Sequence, residues 1–244
     1  MTANVIDDCR LRNRTGVYRD RDDAGVQLAL ALEPFRGKDA FVLAIPSGGV
    51  PVGLAVSSHL ALPFDLLIIR KIPIPGYTES GFAAVSLEGD IVLNEPLVRE
   101  LDLTQEEIEQ AAKPVQEELL ARNRIFREDR PWPDLAGKMV ILVDDGLASG
   151  YTMLAAIRAV ARRKPSQIVV AVPTASASTI KLLAPQVDCI VCPNIRSGQC
   201  FAVADAYRDW YDLDRPLVVD LLRAHGLLAN HPAHQQRGRI IRAR

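Results

Sequence analysis

Short apolar runs alternate with longer amphipathic stretches along this chain. The run Val140–Val143 is continuous and rich in β-branched residues, as expected for a parallel strand that is covered on both faces. Runs at Phe41–Ile45, Phe64–Ile69, Gln167–Val172 and Cys189–Cys192 predict further strands. Because helices are predicted between these strands, the pattern predicts an α/β fold with a doubly wound, mainly parallel sheet flanked by helices.

The predicted helices begin at recognisable capping signals. Asp22–Leu32 follows an acidic, cap-rich stretch, and Leu103–Arg127 is opened by Thr104 with Glu107 at capping-box spacing. Pro114 falls inside the second helix, so we expect a kink or a break into two helices there. The remaining predicted helices are Pro51–Leu62, Met153–Arg163 and Ser178–Leu183.

Two segments show no hydrophobic period. Ile72–Gly81 contains two prolines and two glycines, which predicts a mobile loop. It is followed by Phe82–Val85 and Ile91–Leu93, which predict a short hairpin. The stretch of about 230–244 carries four arginines and no acid. We expect this basic tail to be solvated, with a contact to nucleic acid or to another subunit as the alternative.

Composition narrows the class of protein. The chain has 244 residues, of which 48% are apolar, and a formal net charge of −1 at pH 7. This length suits one domain over 1–244 with a small appendage. The charge gives no general attraction to nucleic acid or membranes. No apolar stretch approaches the ~18 residues of a membrane span. The N-terminus lacks the features of a signal peptide, so we expect a cytoplasmic protein.

Three of the cysteines have a spacing that is found in some zinc sites. Cys189 and Cys192 are separated by two residues, and Cys200 could add a third thiolate. However, Cys189 and Cys192 belong to an apolar run, and no second pair or nearby histidine completes the site. We expect free, buried thiols.

The segment after the Val140–Val143 run carries the chemistry. Asp144 and Asp145 stand at the predicted carboxyl end of that strand, where open α/β sheets place their ligands. The small residues that follow let backbone N–H groups approach an anion, and the helix start beyond them favours phosphate. Carboxylates can accept hydrogen bonds from vicinal hydroxyls, while Ser149 and Thr152 can hold a phosphate. A ribose 5-phosphate satisfies both halves of this segment.

This segment resembles the phosphoribosyl pyrophosphate (PRPP) signature of the type I phosphoribosyltransferases. That signature is an apolar run followed by two acids, a small-residue turn, Thr or Ser, Gly, any residue and Thr. The resemblance implies that Asp144 and Asp145 act in catalysis together with Lys71. It assigns the 5′-phosphate and ribose of PRPP to Asp144, Asp145, Gly146, Leu147, Ala148, Ser149, Gly150 and Thr152.

The resemblance extends over about residues 17–222. Tyr18-Arg-Asp-Arg21, Pro46-Ser-Gly-Gly-Val-Pro51 and Arg70-Lys71 are shared with a branch whose members have no assigned acceptor, as is an inserted helix at about 103–128. It implies a small hood beside the sheet and a homodimer. It places pyrophosphate on Ser47, Gly48, Gly49, Arg70 and Lys71, although related sequences commonly have a basic residue in place of Ser47. Mg²⁺ is implied as the cofactor, held mainly through PRPP and not by direct protein ligands.

The acceptor is implied to be a nucleobase, and its identity stays open. Ala148 stands where hypoxanthine-guanine enzymes carry an acid, which makes a 6-oxopurine less favoured. Phe201 and Tyr207 are candidates for stacking on the base, or are core residues. One alternative is a non-catalytic sensor of PRPP or a nucleotide on the same fold. Another is a hydrolase or transferase acting on a different phosphorylated sugar.

Overall fold

The structure is a computed structural model that describes residues 3–74, 77–198 and 200–229, with the backbone alone at 77–80. The strands are β1 (Asn4–Ile6), β2 (Ala40–Ala44), β3 (Phe64–Leu66), β4 (Ile69–Ile74), β5 (Tyr77–Ser86), β6 (Ile91–Leu93), β7 (Met139–Val143), β8 (Gln167–Ala171), β9 (Thr174–Ser176), β10 (Cys189–Val191) and β11 (Asn194–Arg196). The helices are α1 (Arg21–Ala31), α2 (Gly49–Leu60), α3 (Glu95–Glu100), α4 (Gln105–Arg127), α5 (Tyr151–Ala161), α6 (Ala177–Leu183) and α7 (Arg215–Ala224).

The central sheet has six parallel strands in the order β1-β10-β8-β7-β2-β3. This confirms the predicted parallel α/β fold. From β2 the chain continues through α2 to β3 on one side, whereas from β7 it continues through α5 to β8 on the other. The two connections therefore diverge between neighbouring strands. In open α/β sheets such a divergence opens a crevice at the carboxyl edge, where ligands bind.

Alternate residues of β7 serve opposite faces of the sheet, as the period of two requires. Val140 and Leu142 pack in the cluster that contains α5 and α6. Ile141 and Val143 pack in the cluster that contains α1 and α2. All four side chains are fully buried. The uninterrupted apolar run of this strand thus reflects helices on both faces of the sheet.

A second layer, which we call the hood, covers one end of the crevice. It consists of the antiparallel sheet β4-β5-β6 with α3, α4 and α7 packed on it. Its core includes Ile72, Phe82, Val98, Ile108, Leu119, Phe126, Val218 and Leu222. The other side of the hood sheet contacts α5, so the hood is held next to the loop that precedes α5.

The predicted loop over Ile72–Gly81 is wrong in the part of the chain that the structure describes. Strand β4 runs to Ile74, β5 begins at Tyr77, and the two pair antiparallel with irregular register around Pro73. Pro75 and Gly76 lie outside the described residues. Pro73 is tolerated because β4 is an edge strand and the register is irregular there, so no ladder hydrogen bond requires the N–H that proline lacks. Ile72 is buried and anchors the strand in the core of the hood. The prolines in this segment indicated a loop and gave no sign of that burial.

Other differences from the predictions have local causes. The expected strand Phe64–Ile69 is divided, because β3 ends at Leu66 and β4 starts at Ile69 in the hood. The inserted helix is a single helix, α4, and its Thr104–Glu107 capping box is formed as predicted. Pro114 does not break it, because this residue is exposed and water can satisfy the carbonyl that loses its N–H partner. Five elements, β1, β9, β11, α3 and α7, were not predicted. No helix among the described residues is long and apolar enough to cross a membrane.

A buried ion pair ties the hood to the central sheet. Arg127, at the end of α4, donates from Nε and Nη2 to the Asp65 carboxylate on β3, at 3.0 and 2.8 Å. Its Nη1 donates to Asn123 Oδ1 at 3.1 Å. Arg127 is only 1% exposed, so this pair is shielded from solvent. The orientation of α4 on the sheet is thereby fixed.

We expect Arg127→Met to lower the free energy of unfolding by about 3–5 kcal/mol, because the Asp65 carboxylate then stays buried with only the partly exposed Arg130, 3.8 Å away, as a cation. The double variant Asp65→Leu/Arg127→Met should lose much less, because both charges are then removed. Urea unfolding measures both values. A loss below about 1 kcal/mol for Arg127→Met, as for exposed ion pairs, would contradict the role given to this contact.

Candidate functional site

A cavity of about 440 Å³ lies in the crevice, between the loop that follows β7 and the hood. The loop and the first turn of α5 contribute Asp144, Gly146, Leu147, Ala148, Ser149, Gly150, Tyr151, Thr152 and Met153. The hood contributes Lys71, Gly81, Ala83, Asn94 and Leu97, and Val203 comes from the segment after β11. The structure therefore gathers most of the predicted phosphate-loop residues and one predicted cation around one space.

The loop between β7 and α5 is held from behind by hydrogen bonds. The Leu147 N–H donates to the Thr174 carbonyl at 3.0 Å, and the Ser176 N–H donates to the Leu147 carbonyl at 3.2 Å. The Thr179 hydroxyl donates to the Ala148 carbonyl. Helix α5 then begins without a side-chain cap. Since the first amides of a helix have no intrahelical partner, they remain available to a ligand in the cavity.

Gly150 sets the direction in which α5 leaves the loop. Its φ of +81° lies in the left-handed region that glycine adopts readily. A Cβ at this position would also lie 2.5 Å from Thr179 Cγ2. Both the backbone angle and the packing therefore require glycine, which explains the residue chemistry of the signature at this point.

The paired acids are mostly buried and are linked to each other. The Asp145 N–H donates to Asp144 Oδ1 at 2.9 Å. Arg21, the first residue of α1, donates from Nε to Asp145 Oδ2 at 2.8 Å. The Tyr207 hydroxyl donates to the Asp145 carbonyl at 2.5 Å. The side chain and the backbone of Asp145 are thus both held by other parts of the chain.

The electrostatics of the acids follow from this setting. Burial raises the pKa of Asp144 well above its ordinary value of 3.8, and the negative charge of Asp145 raises it further. Burial also raises the pKa of Asp145, but the Arg21 guanidinium opposes that effect. A carboxyl with a raised pKa destabilises the folded state when it ionises. Ionisation of Asp144 therefore lowers the free energy of unfolding of the protein.

The turn after β2 lies directly against these acids. An added Cβ on Gly48 would lie 2.1 Å from Asp145 Oδ2, and one on Gly49 would lie 2.7 Å from the Val143 carbonyl oxygen. The peptide bond between Pro46 and Ser47 is cis. The predicted pyrophosphate turn, Ser47–Gly49, is therefore brought to the predicted ribose acids, and a side chain at position 48 would displace Asp145.

Arg70 and Lys71 are neighbours on β4 and point to opposite faces of the hood sheet. Lys71 lines the cavity. Arg70 instead packs toward α4, where its Nη2 pairs with Glu118 Oε2 at 3.0 Å. The prediction that both cations face the same site does not hold in this arrangement, because consecutive strand residues alternate in direction. Lys71 therefore remains a candidate ligand of the site, whereas Arg70 does not.

The two candidate stacking residues do not line the cavity. Tyr207 is buried against Tyr18 and Trp210, with ring centroids 5.8 and 5.2 Å away. Phe201 lies under the Arg196 guanidinium, 5.1 Å from its carbon. The core interpretation of Tyr207 therefore fits better than the stacking one, and its hydroxyl supports the Asp145 backbone instead.

The cysteines lie apart from this site. Cys189 and Cys192 are buried free thiols on and after β10, and Cys200 is exposed. Burial raises the pKa of the Cys192 thiol, which keeps it protonated. Among the described residues, no group of three or more His, Cys, Asp or Glu side chains is arranged to hold a metal ion.

Sequence reasoning missed several residues of the site. Arg21, Asn94 and Val203 have no special spacing relative to the signature, and they reach the site only through the fold. Arg21 did stand in a motif shared with the family branch, so it carried a signal, but its contact with Asp145 could not be read from that motif.

The chain is similar to known proteins both in sequence and in structure. The family model for the phosphoribosyl transferase domain matches residues 27–207. Two Mycobacterium tuberculosis proteins, provisionally named as phosphoribosyl transferases, are each 35% identical over 210 residues, which is 86% of this chain and 47% of theirs. The chain thus spans about half the length of the curated relatives it matches. The crystal structure of TT1426 from Thermus thermophilus superposes with a TM-score of 0.68 and 34% identity, covering 84% of this chain and 97% of that one.

We expect Gly150→Ala to destabilise the fold more than Gly137→Ala. Both glycines have positive φ, +81° and +72°, but nothing lies within 4 Å of an added Cβ at Gly137. The strain of the left-handed backbone, about 1–2 kcal/mol, is then common to both variants. Adding Thr179→Ser to Gly150→Ala should restore part of the loss, because serine lacks the clashing methyl group and keeps the hydroxyl. Equal losses at both glycines in urea unfolding would contradict this packing.

We expect Asp144→Asn to raise the free energy of unfolding at neutral pH. Because the folded pKa of Asp144 is raised, the folded protein binds more protons than the unfolded chain between 3.8 and that folded value. Wild-type stability therefore falls as the pH rises through this window, and the variant avoids that fall. Urea unfolding as a function of pH should show a gain that vanishes in acid, with the exposed Asp220→Asn as the control. No gain at neutral pH would contradict the assignment.

Proposed function

This chain belongs to the phosphoribosyl transferase domain family, and from that membership we propose that it transfers the ribose 5-phosphate of PRPP to a nucleobase-like acceptor and releases pyrophosphate. One observation carries the proposal. A single cavity brings together a buried carboxylate, the uncapped start of α5 and a lysine of the hood. These are the complementary groups that a phosphorylated, hydroxylated and pyrophosphorylated sugar requires.

The 5′-phosphate is proposed to bind at the start of α5. The loop of Gly146–Gly150 presents backbone rather than bulky side chains, and the positive end of the helix dipole favours an anion. Ser149 and Thr152 line the same wall and can donate their hydroxyls. Because the loop carbonyls of Leu147 and Ala148 are engaged behind it, its conformation is set before the ligand arrives.

The ribose is proposed to lie over the two acids. Asp144 lines the cavity, and Asp145, whose N–H donates to Asp144 Oδ1, follows it directly, so both carboxylates are proposed to accept hydrogen bonds from the vicinal hydroxyls of the sugar. As the bond between C1 and the pyrophosphate oxygen breaks, positive charge develops on the sugar. Preorganised carboxylates stabilise that charge more than they stabilise the ground state, which is how such groups accelerate a reaction.

The leaving pyrophosphate is proposed to contact the Ser47–Gly49 turn and Lys71. The turn can offer the backbone N–H groups of Ser47 and Gly48, whereas the Gly49 N–H donates to the Ile45 carbonyl at 3.0 Å. Because Gly48 lies against Asp145, an anion on the turn would be next to the ribose. Lys71 faces the cavity from the hood. Its ammonium group can stabilise the negative charge that pyrophosphate gains as it leaves. The hood also shields the reacting carbon from water, which would otherwise hydrolyse the sugar.

Mg²⁺ is proposed as the cofactor of this reaction. An ion that prefers oxygen ligands and usually retains substrate phosphates and waters in its coordination shell fits this cavity, because the described residues include no group of three or more His, Cys, Asp or Glu side chains that could hold a metal directly. We expect PRPP to supply most of its ligands. The bound ion would partly neutralise pyrophosphate as it leaves.

The acceptor is proposed to be a nucleobase or a similar planar compound. Val203 and Tyr151 line the cavity and offer apolar surface to a ring, whereas Phe201 and Tyr207 are engaged elsewhere. Ala148 also lines the cavity, so an acceptor that needs an acid at that position is disfavoured. The homodimer and the cytoplasmic location stay predictions.

The direct experiment is a pyrophosphate-release assay with PRPP, Mg²⁺ and a panel of purine and pyrimidine bases, with the product identified by mass. We expect a nucleoside monophosphate that forms with one base or a few. Failure to bind PRPP would contradict the proposal. Binding of PRPP without any product would favour the alternative of a sensor, and a thermal shift only with another sugar phosphate would favour the third interpretation.

We expect Asp144→Asn to lower kcat/KM by roughly a hundredfold or more, because the variant keeps the shape of the side chain and loses the charge facing the ribose. The same variant should be more stable than wild type at neutral pH, so unfolding cannot account for the loss. Asp220→Asn again serves as the control. Unchanged kcat/KM for Asp144→Asn would remove this carboxylate from the mechanism.

A further inference from the structure

Arg21 occupies a position that is unfavourable for a cation. It is the first residue of α1, where the positive end of the helix dipole repels a guanidinium, and it is only 4% exposed. Burial of an unpaired charge is costly, so such a residue needs strong compensation. That compensation comes from Asp145, whose Oδ2 accepts from Arg21 Nε at 2.8 Å. Two unfavourable placements, a buried acid and a buried cation, thus offset each other.

The C-terminal part of the chain clamps the Arg21 side chain. Nη1 donates to the Tyr211 carbonyl at 2.8 Å. The guanidinium carbon lies 3.9 Å from the centre of the Trp210 ring and 6.0 Å from that of Tyr207. A planar guanidinium can stack on an aromatic ring while it donates in its own plane, which a lysine ammonium cannot do. The orientation of Arg21 is therefore fixed from two sides.

We propose that Arg21 is a positioning residue for Asp145, which holds that carboxylate ionised and oriented for the ribose of PRPP. This inference rests on the proposed function. Arg21 binds Oδ2, while the Tyr207 hydroxyl fixes the backbone of the same residue. Gly48 closes on the carboxylate from the turn after β2. These contacts leave the Asp145 carboxylate little freedom to change its orientation.

The proposal explains how two adjacent buried acids can serve one ligand. The charged groups that face Asp145 are the Asp144 carboxyl on its own loop and Arg21 from α1, with the Tyr207 hydroxyl on its carbonyl. Without Arg21, burial and mutual repulsion would lead Asp145 to take up a proton. A protonated Asp145 would accept fewer hydrogen bonds and would no longer stabilise positive charge at C1.

The chain offers a matched control in Arg127. This arginine is equally buried, pairs with one aspartate and lies near a tryptophan ring, Trp132, at 5.7 Å. It belongs to the ion pair between the hood and the sheet and does not line the cavity. A variant at Arg127 therefore reproduces the loss of a buried ion pair without touching the acids of the site.

The first measurement needs no ligand. Titration of the Asp145 carboxyl by ¹³C NMR is compared in wild type, Arg21→Met and Arg127→Met, at a temperature where thermal unfolding shows each to be folded. Arg21→Lys and Arg127→Lys form a milder pair should either methionine variant unfold. We expect Arg21→Met to raise the pKa of Asp145 and Arg127→Met to leave it unchanged. An unchanged Asp145 titration in Arg21→Met would overturn the proposal.

The second measurement is the affinity for PRPP with Mg²⁺ as a function of pH, by calorimetry. Each unit by which the pKa of Asp145 exceeds the assay pH lowers its ionised fraction about tenfold, so Arg21→Met should bind weakly near neutral pH and recover as the pH rises. Arg127→Met should follow the wild-type pH profile despite its lower stability. Coincident profiles for Arg21→Met and wild type would overturn the proposal. Absence of PRPP binding in wild type would refute the proposed function, and the NMR titration would still decide the role of Arg21.

Discussion

The close approach of two backbone turns at the centre of the sheet is the constraint on which the site depends. The turn after β2 and the loop after β7 leave neighbouring strands, and Gly48 approaches Asp145 so closely that no side chain fits between them. This contact is possible because the chain diverges in opposite directions from the two strands. The cavity, the acids and the start of α5 all take their positions from it.

Around this contact the molecule balances charges that would each be costly alone. Asp144 and Asp145 are adjacent and poorly solvated, which raises the pKa of both. One cation, Arg21, reaches them from α1, and a second, Lys71, lies across the cavity on the hood. The remaining imbalance fits the proposed ligand, which would bring hydroxyls and a metal-bound pyrophosphate. The site is thus less stable without its proposed ligand than a neutral site would be, as is common where function and stability compete.

The features of the fold and of the site that depend on local chemistry could be predicted from the sequence. The apolar run of β7, the acids after it and the small residues before α5 predicted a strand, a ligand edge and a phosphate loop, and the parallel sheet is observed. The hood was harder. Proline at positions 73 and 75 indicated a loop, yet Ile72 is buried in the hood core, and tertiary packing decided for a strand. The direction of Arg70 was predicted wrongly and the contact of Arg21 was missed for a similar reason. Their partners, Glu118 and Asp145 respectively, lie far away in the chain.

The central claim is that one ribose 5-phosphate spans the acids and the start of α5. A crystal structure of the protein with Mg²⁺ and ribose 5-phosphate tests it most directly. The account predicts the phosphate at the amides of Ser149–Thr152, with the ribose hydroxyls on Asp144 and Asp145. A phosphate bound away from α5, or a sugar whose hydroxyls face away from both carboxylates, would contradict it.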